Sequence, residues 1–155
     1  MAVIGDIITF NNPLYSTYIF YSCVLIIKMN IMSFLTIRKR LSRKRKAFMN
    51  PEDAKSTGGK VRADDDVERV RRAHLNDIEN IPLFLFVSGL YILTGPSVGL
   101  ATILFRAFAA TRIVYTIVYA VVVIPQPARG LSWGIGVAIT LYMAISTMLS
   151  FASGM

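Results

Sequence analysis

Cysteine and histidine are almost absent from this chain, and acidic residues are scarce. Its 155 residues include one cysteine, Cys23, and one histidine, His74. A single cysteine excludes a disulfide bond within the chain, and one cysteine with one histidine excludes the usual soft-metal clusters. Only nine acidic residues stand against 17 lysines and arginines, which leaves a net charge of +8. The candidate functional groups are therefore arginines, tyrosines and a few carboxylates.

The positive charge is concentrated in one part of the chain. Ten of the 17 basic residues lie between Arg38 and Arg62, directly after an apolar run, and the most basic part, RKRLSRKRK, contains no aromatic residue. In a soluble chain such a charge would suggest nucleic-acid binding. Beside an apolar run it is more typical of a cytosolic loop of a membrane protein. We therefore expect no nucleic-acid partner.

Three long apolar runs and one segment that is charged in its first half and apolar in its second predict four membrane-spanning helices. Hydrophobic residues make up 54% of the chain, and each of the four segments is long enough to cross a hydrocarbon core of about 30 Å. The second and third connections are short, which predicts an all-α, antiparallel bundle of four transmembrane helices in one domain, residues 1–155. The predicted spans are residues 14–37, 67–94, 100–124 and 131–151.

The loops predict the orientation of these helices. Loop 38–66 carries the basic run and turn-forming residues, and the 125–130 connection carries Arg129, whereas the 95–99 turn has no charge. The positive-inside rule places the first two in the cytosol and the 95–99 turn with both termini on the opposite side. The acidic run 64–66 precedes the second helix, where carboxylates cap free N–H groups. Capping is favoured over a metal site, which would need more ligands.

A polar stripe lies on the second predicted helix. Arg72, Asn76 and Glu79 are spaced by four and three residues, so they share one helix face. Ionisable groups within a membrane span are costly and by default mark a functional site. A cation, an amide and an anion in a row match a small zwitterionic ligand. The alternative is an internal salt bridge from Arg72 or Arg112 to Glu79 that only fixes the helix register.

Polar groups on the other helices are predicted at a similar depth. Arg112, Tyr115 and Tyr119 share one face of the third helix, in its cytosolic half. Arg40 ends the first span and Arg129 begins the fourth, both on the cytosolic side. Because these arginines outnumber the nearby carboxylates, the cluster favours an anionic ligand.

Three further polar residues receive structural interpretations. Lys28 interrupts the first span, and we expect it to face other helices rather than reach toward the membrane interface. His74 and Asp77 lie roughly opposite the stripe. As an acid–base pair they lack a nucleophile, so a structural hydrogen bond is the favoured interpretation.

Four segments together resemble the MAPEG family, membrane-associated proteins of eicosanoid and glutathione metabolism. They are NPED at 50–53, VERVRRAHLNDIENIPLFLF at 67–86, RIVYTIVY at 112–119 and PQPARGLSW at 125–133. The glutathione transferases of the family are most similar, followed by its prostaglandin E synthases. The resemblance implies a homotrimer of four-helix subunits in the endoplasmic reticulum membrane, with the mitochondrial outer membrane as a second location. It also implies glutathione bound between neighbouring subunits, at a site that faces the cytosol.

The resemblance also implies a set of glutathione-contacting residues. Arg129 is the candidate catalytic residue, since the corresponding family arginine lies near the thiol, and a guanidinium there lowers the thiol pKa. Arg40 and Tyr115 depart from the family pattern: the segment containing Arg40 is two residues longer, and relatives have a histidine where Tyr115 stands. The full predicted binding set is Arg40, Arg71, Arg72, His74, Asn76, Glu79, Arg112, Tyr115, Tyr119 and Arg129.

These observations lead to a ranked set of functions. The first is a glutathione transferase that conjugates glutathione to lipophilic electrophiles, with glutathione-dependent peroxidase activity toward lipid hydroperoxides. The second is a glutathione-dependent prostaglandin E synthase, although Gly130 stands where synthases have a serine. A non-catalytic lipid-binding scaffold would lack the charged stripe. A transporter would continue the polar path across the membrane.

Overall fold

The computed structural model describes residues 4–42 and 46–152, and in this part the chain is almost entirely helical. Two strands of two residues each are the exception. The α5 helix continues directly into a five-residue π-helical turn, Ile117–Val121. The elements in chain order are α1 (Ile4–Ile7), α2 (Pro13–Leu41), β1 (Ala47–Phe48), α3 (Pro51–Thr57), β2 (Lys60–Val61), α4 (Asp65–Ile92), α5 (Val98–Thr116) and α6 (Ala128–Ala152).

Side-chain caps fix where the two longest helices begin. The Asn12 carboxamide oxygen accepts a hydrogen bond from the Leu14 N–H, and Pro13 occupies the first turn, where its missing N–H costs nothing. At the start of α4 the Asp64 carboxylate accepts from the backbone N–H groups of Asp66 and Val67. The expected acidic cap is therefore confirmed.

The connection between α2 and α4 is more ordered than the sequence analysis expected. We interpreted Pro51 and the glycines as turn-forming residues, whereas Pro51 begins helix α3. Its first turn carries two carboxylates, which favour a helix N-terminus, and it ends at Gly58, whose φ of +63° suits glycine. On either side of α3, β1 and β2 pair in parallel. The segment is a small folded unit, with Phe48 and Ala54 buried.

The four long helices pack around an aromatic core. Helix α2 contacts α4 and α5, and α6 contacts the same two helices from the other side. Phe84 of α4 stacks on Phe108 of α5 with their ring centroids 3.7 Å apart, and Phe105 meets Phe84 edge-on at 6.0 Å. The edge-to-face contact is of a kind that stabilises the packing beyond the burial of its area.

The outside of this bundle is apolar. Large hydrophobic side chains such as Phe34, Phe86, Ile103 and Leu149 are more than half exposed. Within the described residues, three helical segments are long and apolar enough to cross a membrane: Pro13–Leu41, Val98–Val121 and Ala128–Ala152. Helix α4 is not among them because charged residues crowd its first half.

Two helices end earlier than the apolar runs suggested. Helix α4 ends at Ile92 rather than at residue 94, because residues 93–95 form turn hydrogen bonds that lead to Gly95 at φ +67°. On the third run the π-helical turn ends at Val121 rather than at residue 124. Val122 is extended, with ψ of 101°.

Candidate functional site

Tyr119 joins two of the predicted arginines. Its hydroxyl oxygen accepts a hydrogen bond from Arg72 Nε at 3.2 Å. Its ring lies under the guanidinium of Arg129, whose Cζ is 4.8 Å from the ring centroid. This geometry is a cation–π contact. Tyr119 belongs to the π-helical turn, so α4, this turn and α6 each supply one of the three residues Arg72, Tyr119 and Arg129.

Arg112 is a fully buried cation held mainly by neutral groups. One terminal nitrogen donates to Asn76 Oδ1 at 3.0 Å, and the other donates to the Ser132 carbonyl oxygen at 3.2 Å. The guanidinium also lies over the Tyr115 ring at 5.3 Å. Arg112 Nε is buried with no hydrogen-bond partner in the described residues.

Gly136 of α6 makes room for the Arg112 guanidinium. A Cβ atom at this position would lie 3.0 Å from an Arg112 terminal nitrogen. That separation is shorter than an ordinary van der Waals contact, so the guanidinium lies in space that a side chain at position 136 would need. The arginine therefore packs directly against the α6 backbone.

An open cavity of about 320 Å³ lies beside these groups. The Gly130 N–H donates to Gln126 Oε1 at 3.0 Å, which folds that carboxamide over the start of α6. Tyr115 and Tyr119 lie side by side with their ring centroids 5.5 Å apart. We name this space the tyrosine cavity; its lining residues are Asn76, Tyr115, Tyr119, Gln126, Arg129, Gly130 and Trp133.

Arg71 and His74 do not line the tyrosine cavity. They line a separate space of about 280 Å³ on α4, together with Arg72, Leu75 and Ile78. Arg71 also forms an ion pair with Glu68 at 3.0 Å. Of the predicted residues on α4, Arg72 is the one that both lines this second space and contacts Tyr119.

Glu79 and Arg40 stand apart from both spaces. Glu79 is exposed and forms no hydrogen bond or ion pair with the described residues. The alternative salt bridge from Arg72 or Arg112 to Glu79 is therefore absent from this part of the chain. Arg40 is half-buried near the end of α2, and its Nε has no hydrogen-bond partner among the described residues.

A buried ion pair was missed by the sequence analysis. Lys28 Nζ of α2 donates to Asp77 Oδ2 of α4, and both side chains are buried. The expectation that Lys28 faces other helices is confirmed. Asp77 pairs with this lysine rather than with His74. Lys28, a lone cation in an apolar run, was the available signal, but nothing in the sequence indicated that Asp77 would be its partner.

The tyrosine cavity has the chemistry to bind an anion beside an apolar wall. Arg129 Nε is buried and unpartnered within the described residues, and its guanidinium lies over an aromatic ring rather than a carboxylate. The three arginines differ in burial: Arg72 is exposed, Arg129 is half-buried and Arg112 is fully buried. Trp133 supplies a half-exposed aromatic surface at the same opening.

Comparison with known proteins gives consistent matches over most of the chain. The MAPEG family model matches residues 18–149. Microsomal glutathione S-transferase 1 from Sus scrofa is 43% identical over 145 residues, covering 90% of this chain and 92% of the relative. The protein of the same name from Homo sapiens is 42% identical over 146 residues with the same coverage. Prostaglandin E synthase from Homo sapiens is 40% identical over 111 residues, covering 70% of this chain and 72% of the relative.

Proposed function

Since the chain belongs to the MAPEG family, we propose that it is a membrane-bound glutathione transferase acting on lipophilic electrophiles. The observation that carries this proposal is the position of Arg129, which lines the tyrosine cavity and has no carboxylate partner among the described residues. The reaction forms a bond between the glutathione sulfur and an electrophilic carbon. The leaving group departs with the bonding electron pair, and the thiol proton passes to solvent.

One carboxylate, the ammonium group and the thiol of glutathione each have a complementary group in this proposal. Glutathione carries two carboxylates, one ammonium group and one thiol. Arg72 is exposed and positioned by Tyr119, so it is available to a carboxylate. Glu79 is exposed and unpaired within the described residues, which suits the ammonium group. Arg129 stabilises the thiolate, and a guanidinium favours the charged form of a neighbouring acid.

Arg112 is buried, so in this proposal its role is to position the Asn76 side chain. It holds the Asn76 side chain through its 3.0 Å hydrogen bond, so that the other face of this carboxamide is presented to the tyrosine cavity. Its positive charge also adds to the potential of the cavity. Trp133 and the Tyr115 ring provide an apolar surface for the electrophile.

We propose that the complete site forms between subunits of a homotrimer. Arg71 and His74 lie on a different face of α4 from the tyrosine cavity, and Glu79 lines neither space. Within a single chain these groups are therefore divided between separate surfaces. A neighbouring subunit would bring the α4 face of one chain opposite the tyrosine cavity of another. Arg40, at the end of α2, belongs to the same proposed interface.

The proposed setting is a four-helix bundle that crosses the endoplasmic reticulum membrane. Helices α2, α5 with its π-helical turn, and α6 are long and apolar enough for three of the crossings. Helix α4 would make the fourth, with its polar half packed against the other helices and its apolar half reaching the far side. The 42–64 connection and residues 125–130 would then face the cytosol.

Cysteine labelling tests this orientation. In a Cys23→Ser background, we expect Ser56→Cys to react with a membrane-impermeant maleimide on sealed microsomes. Gly99→Cys, at the opposite end of the bundle, should react only after permeabilisation. Both positions are exposed, and the glycine has open space around it. Labelling of position 99 before permeabilisation, with position 56 protected, would reverse the proposed topology.

Glutathione affinity tests the two charged residues at the ends of the α4 stripe. We expect Arg72→Ala and Glu79→Ala each to weaken binding by about tenfold or more, roughly 1.4 kcal/mol, because each removes a charge-assisted contact. Calorimetric titration of the detergent-purified protein measures the change.

Matched charge variants serve as controls for that experiment. Arg69→Ala removes an arginine from the same helix, but this arginine pairs with Asp66 at 2.6 Å and lines neither space. Glu52→Ala removes an exposed carboxylate of α3. Both controls should bind glutathione as the wild-type protein does. Equal affinities across all four variants would remove the stripe from the proposed site.

The absence of a serine at position 130 favours the transferase over the isomerase. Gly130 has no side-chain hydroxyl, and its N–H donates to Gln126 Oε1 at 3.0 Å. We expect clear conjugation of a chromogenic aryl halide and weak isomerisation of prostaglandin H2 by one preparation. Product formation from both substrates at equal glutathione concentration measures the ratio. An isomerase rate above the conjugation rate would make the synthase the better assignment.

A further inference from the structure

A third, larger cavity lies between the C-terminal end of α2 and the C-terminal end of the π-helical turn. Its volume is about 690 Å³, and it is separate from the tyrosine cavity. Helix α2 supplies most of the wall, and the last two residues of the turn supply the remainder. We name it the α2 end cavity; its lining residues are Leu35, Arg38, Lys39, Leu41, Ser42, Ala120 and Val121.

The lining of the α2 end cavity is amphipathic. Leu35, Leu41 and the two residues of the π-helical turn make most of the surface apolar. Arg38 and Lys39 add two positive charges at one end. Neither cation forms a side-chain hydrogen bond or ion pair with the described residues. Ser42 also lines this cavity, and its hydroxyl oxygen is buried without a partner in the same part of the chain.

The cavity lies where a membrane surface is expected. Arg38 follows the apolar part of α2 directly, and the π-helical turn is the end of another apolar helix. Both helices end here, and their C-terminal dipoles contribute partial negative charge. The full charges of Arg38 and Lys39 exceed these partial charges, so the opening attracts anions. Basic pockets between helices on the cytosolic side of a membrane are suited to anionic lipid head groups.

We propose that the α2 end cavity binds an anionic phospholipid. The phosphate-bearing head group contacts Arg38 and Lys39 and accepts a hydrogen bond from the Ser42 hydroxyl. One acyl chain runs along Leu35 and the apolar residues of the π-helical turn. Because Ala120 directly follows Tyr119, a lipid held here contacts the segment that shapes the tyrosine cavity. This binding goes beyond the proposed transferase activity and does not depend on it.

Native mass spectrometry of the detergent-solubilised full chain tests the proposal. The probes are phosphatidylserine, phosphatidylcholine of the same acyl chains, and free glycerol 3-phosphate. We expect the wild-type protein to retain phosphatidylserine in preference to phosphatidylcholine, and to retain no glycerol 3-phosphate. The double variant Arg38→Gln/Lys39→Gln should bind phosphatidylserine about tenfold more weakly or worse.

A variant of equal charge provides the control. Lys55→Gln/Lys60→Gln removes two exposed lysines from the same cytosolic connection but none from the cavity, and it should retain the wild-type affinity. If both double variants bound phosphatidylserine equally weakly, the effect would come from the net charge of the protein and not from the cavity, and the site would be overturned. Equal retention of phosphatidylcholine, or retention of glycerol 3-phosphate alone, would also overturn it.

A salt series on the wild-type protein keeps the test independent of variant folding. Charge–charge attraction at an exposed head group is screened over about 8–10 Å at physiological ionic strength and over about 3 Å at 1 M. Phosphatidylserine retention should therefore fall with added salt, whereas the weaker phosphatidylcholine retention should not change. Retention of phosphatidylserine that is independent of salt would contradict a head group held by Arg38 and Lys39.

Discussion

Arg129→Ala is expected to lower the conjugation rate at neutral pH by about tenfold or more, with a smaller loss of glutathione binding. A guanidinium close to an acid typically lowers its pKa by about one to three units. Without it, the pKa of the bound thiol rises, and the fraction of reactive thiolate at neutral pH falls by about tenfold per unit. A thiolate of higher pKa is intrinsically more nucleophilic, which recovers part of this loss.

The pH dependence distinguishes this role from a structural one. Above the raised pKa the variant again holds glutathione as thiolate, so the ratio of wild-type to variant rate should shrink as the pH rises. Ultraviolet absorbance of the thiolate, followed through the same titration, reports the shift directly. Arg129→Lys keeps the charge and should recover part of the rate.

Arg106→Ala is the matched control for Arg129. It removes an arginine that donates to the Tyr21 hydroxyl at 3.0 Å and lies outside the tyrosine cavity. Its conjugation rate and thiolate titration should be those of the wild type. If Arg129→Ala also leaves the thiolate titration unshifted, the guanidinium does not act on the sulfur.

Asp77→Ala is expected to lower the free energy of unfolding by about 3–5 kcal/mol, because it leaves the Lys28 ammonium buried without its partner. Asp77 is fully buried and Lys28 is 7% exposed, so both charges are largely removed from solvent in the folded chain. Reversible unfolding of the detergent-solubilised protein in increasing sodium dodecyl sulfate measures the change.

Removing both charges should cost much less than removing one. Lys28→Met/Asp77→Leu replaces the ion pair with apolar groups of similar size, and such replacements are often neutral or stabilising. As a control, Asp65→Ala removes an exposed carboxylate from the first turn of the same helix and should cost only about 0.3–1 kcal/mol. A single Asp77→Ala variant as stable as this control would show that Lys28 does not depend on the pair.

Helical spacing was sufficient to predict that Arg72 and Asn76 share one face of α4. Arg72 and Asn76 are one helical turn apart on α4, and both meet groups of the α5 helix or its π-helical turn. Tyr119 reaches the cavity even though the turn that carries it is π-helical, a local change of helix type that the apolar pattern does not reveal. Which residues share a helix face was therefore predictable. The change from α-helix to π-helix at the end of α5 was not.

Contacts between distant segments were less accessible to sequence analysis. Lys28 and Asp77 meet only because α2 and α4 turn particular faces toward each other, and periodicity fixes the faces of each helix but not which faces meet. The resemblance placed Arg71 and Arg72 together in the predicted binding set, and both line the space on α4. Arg72, unlike Arg71, also donates a hydrogen bond to Tyr119, because adjacent residues on a helix point about 100° apart. The small unit at 46–61 was missed because its strands are too short to produce an alternating pattern.

The contact between Gly136 and Arg112 links two positions that are far apart in the sequence. A Cβ atom at residue 136 would press on the Arg112 guanidinium, which would have to give way by a few tenths of an ångström. Because the same guanidinium holds Asn76, a small side chain added on α6 would be felt in the tyrosine cavity through Arg112.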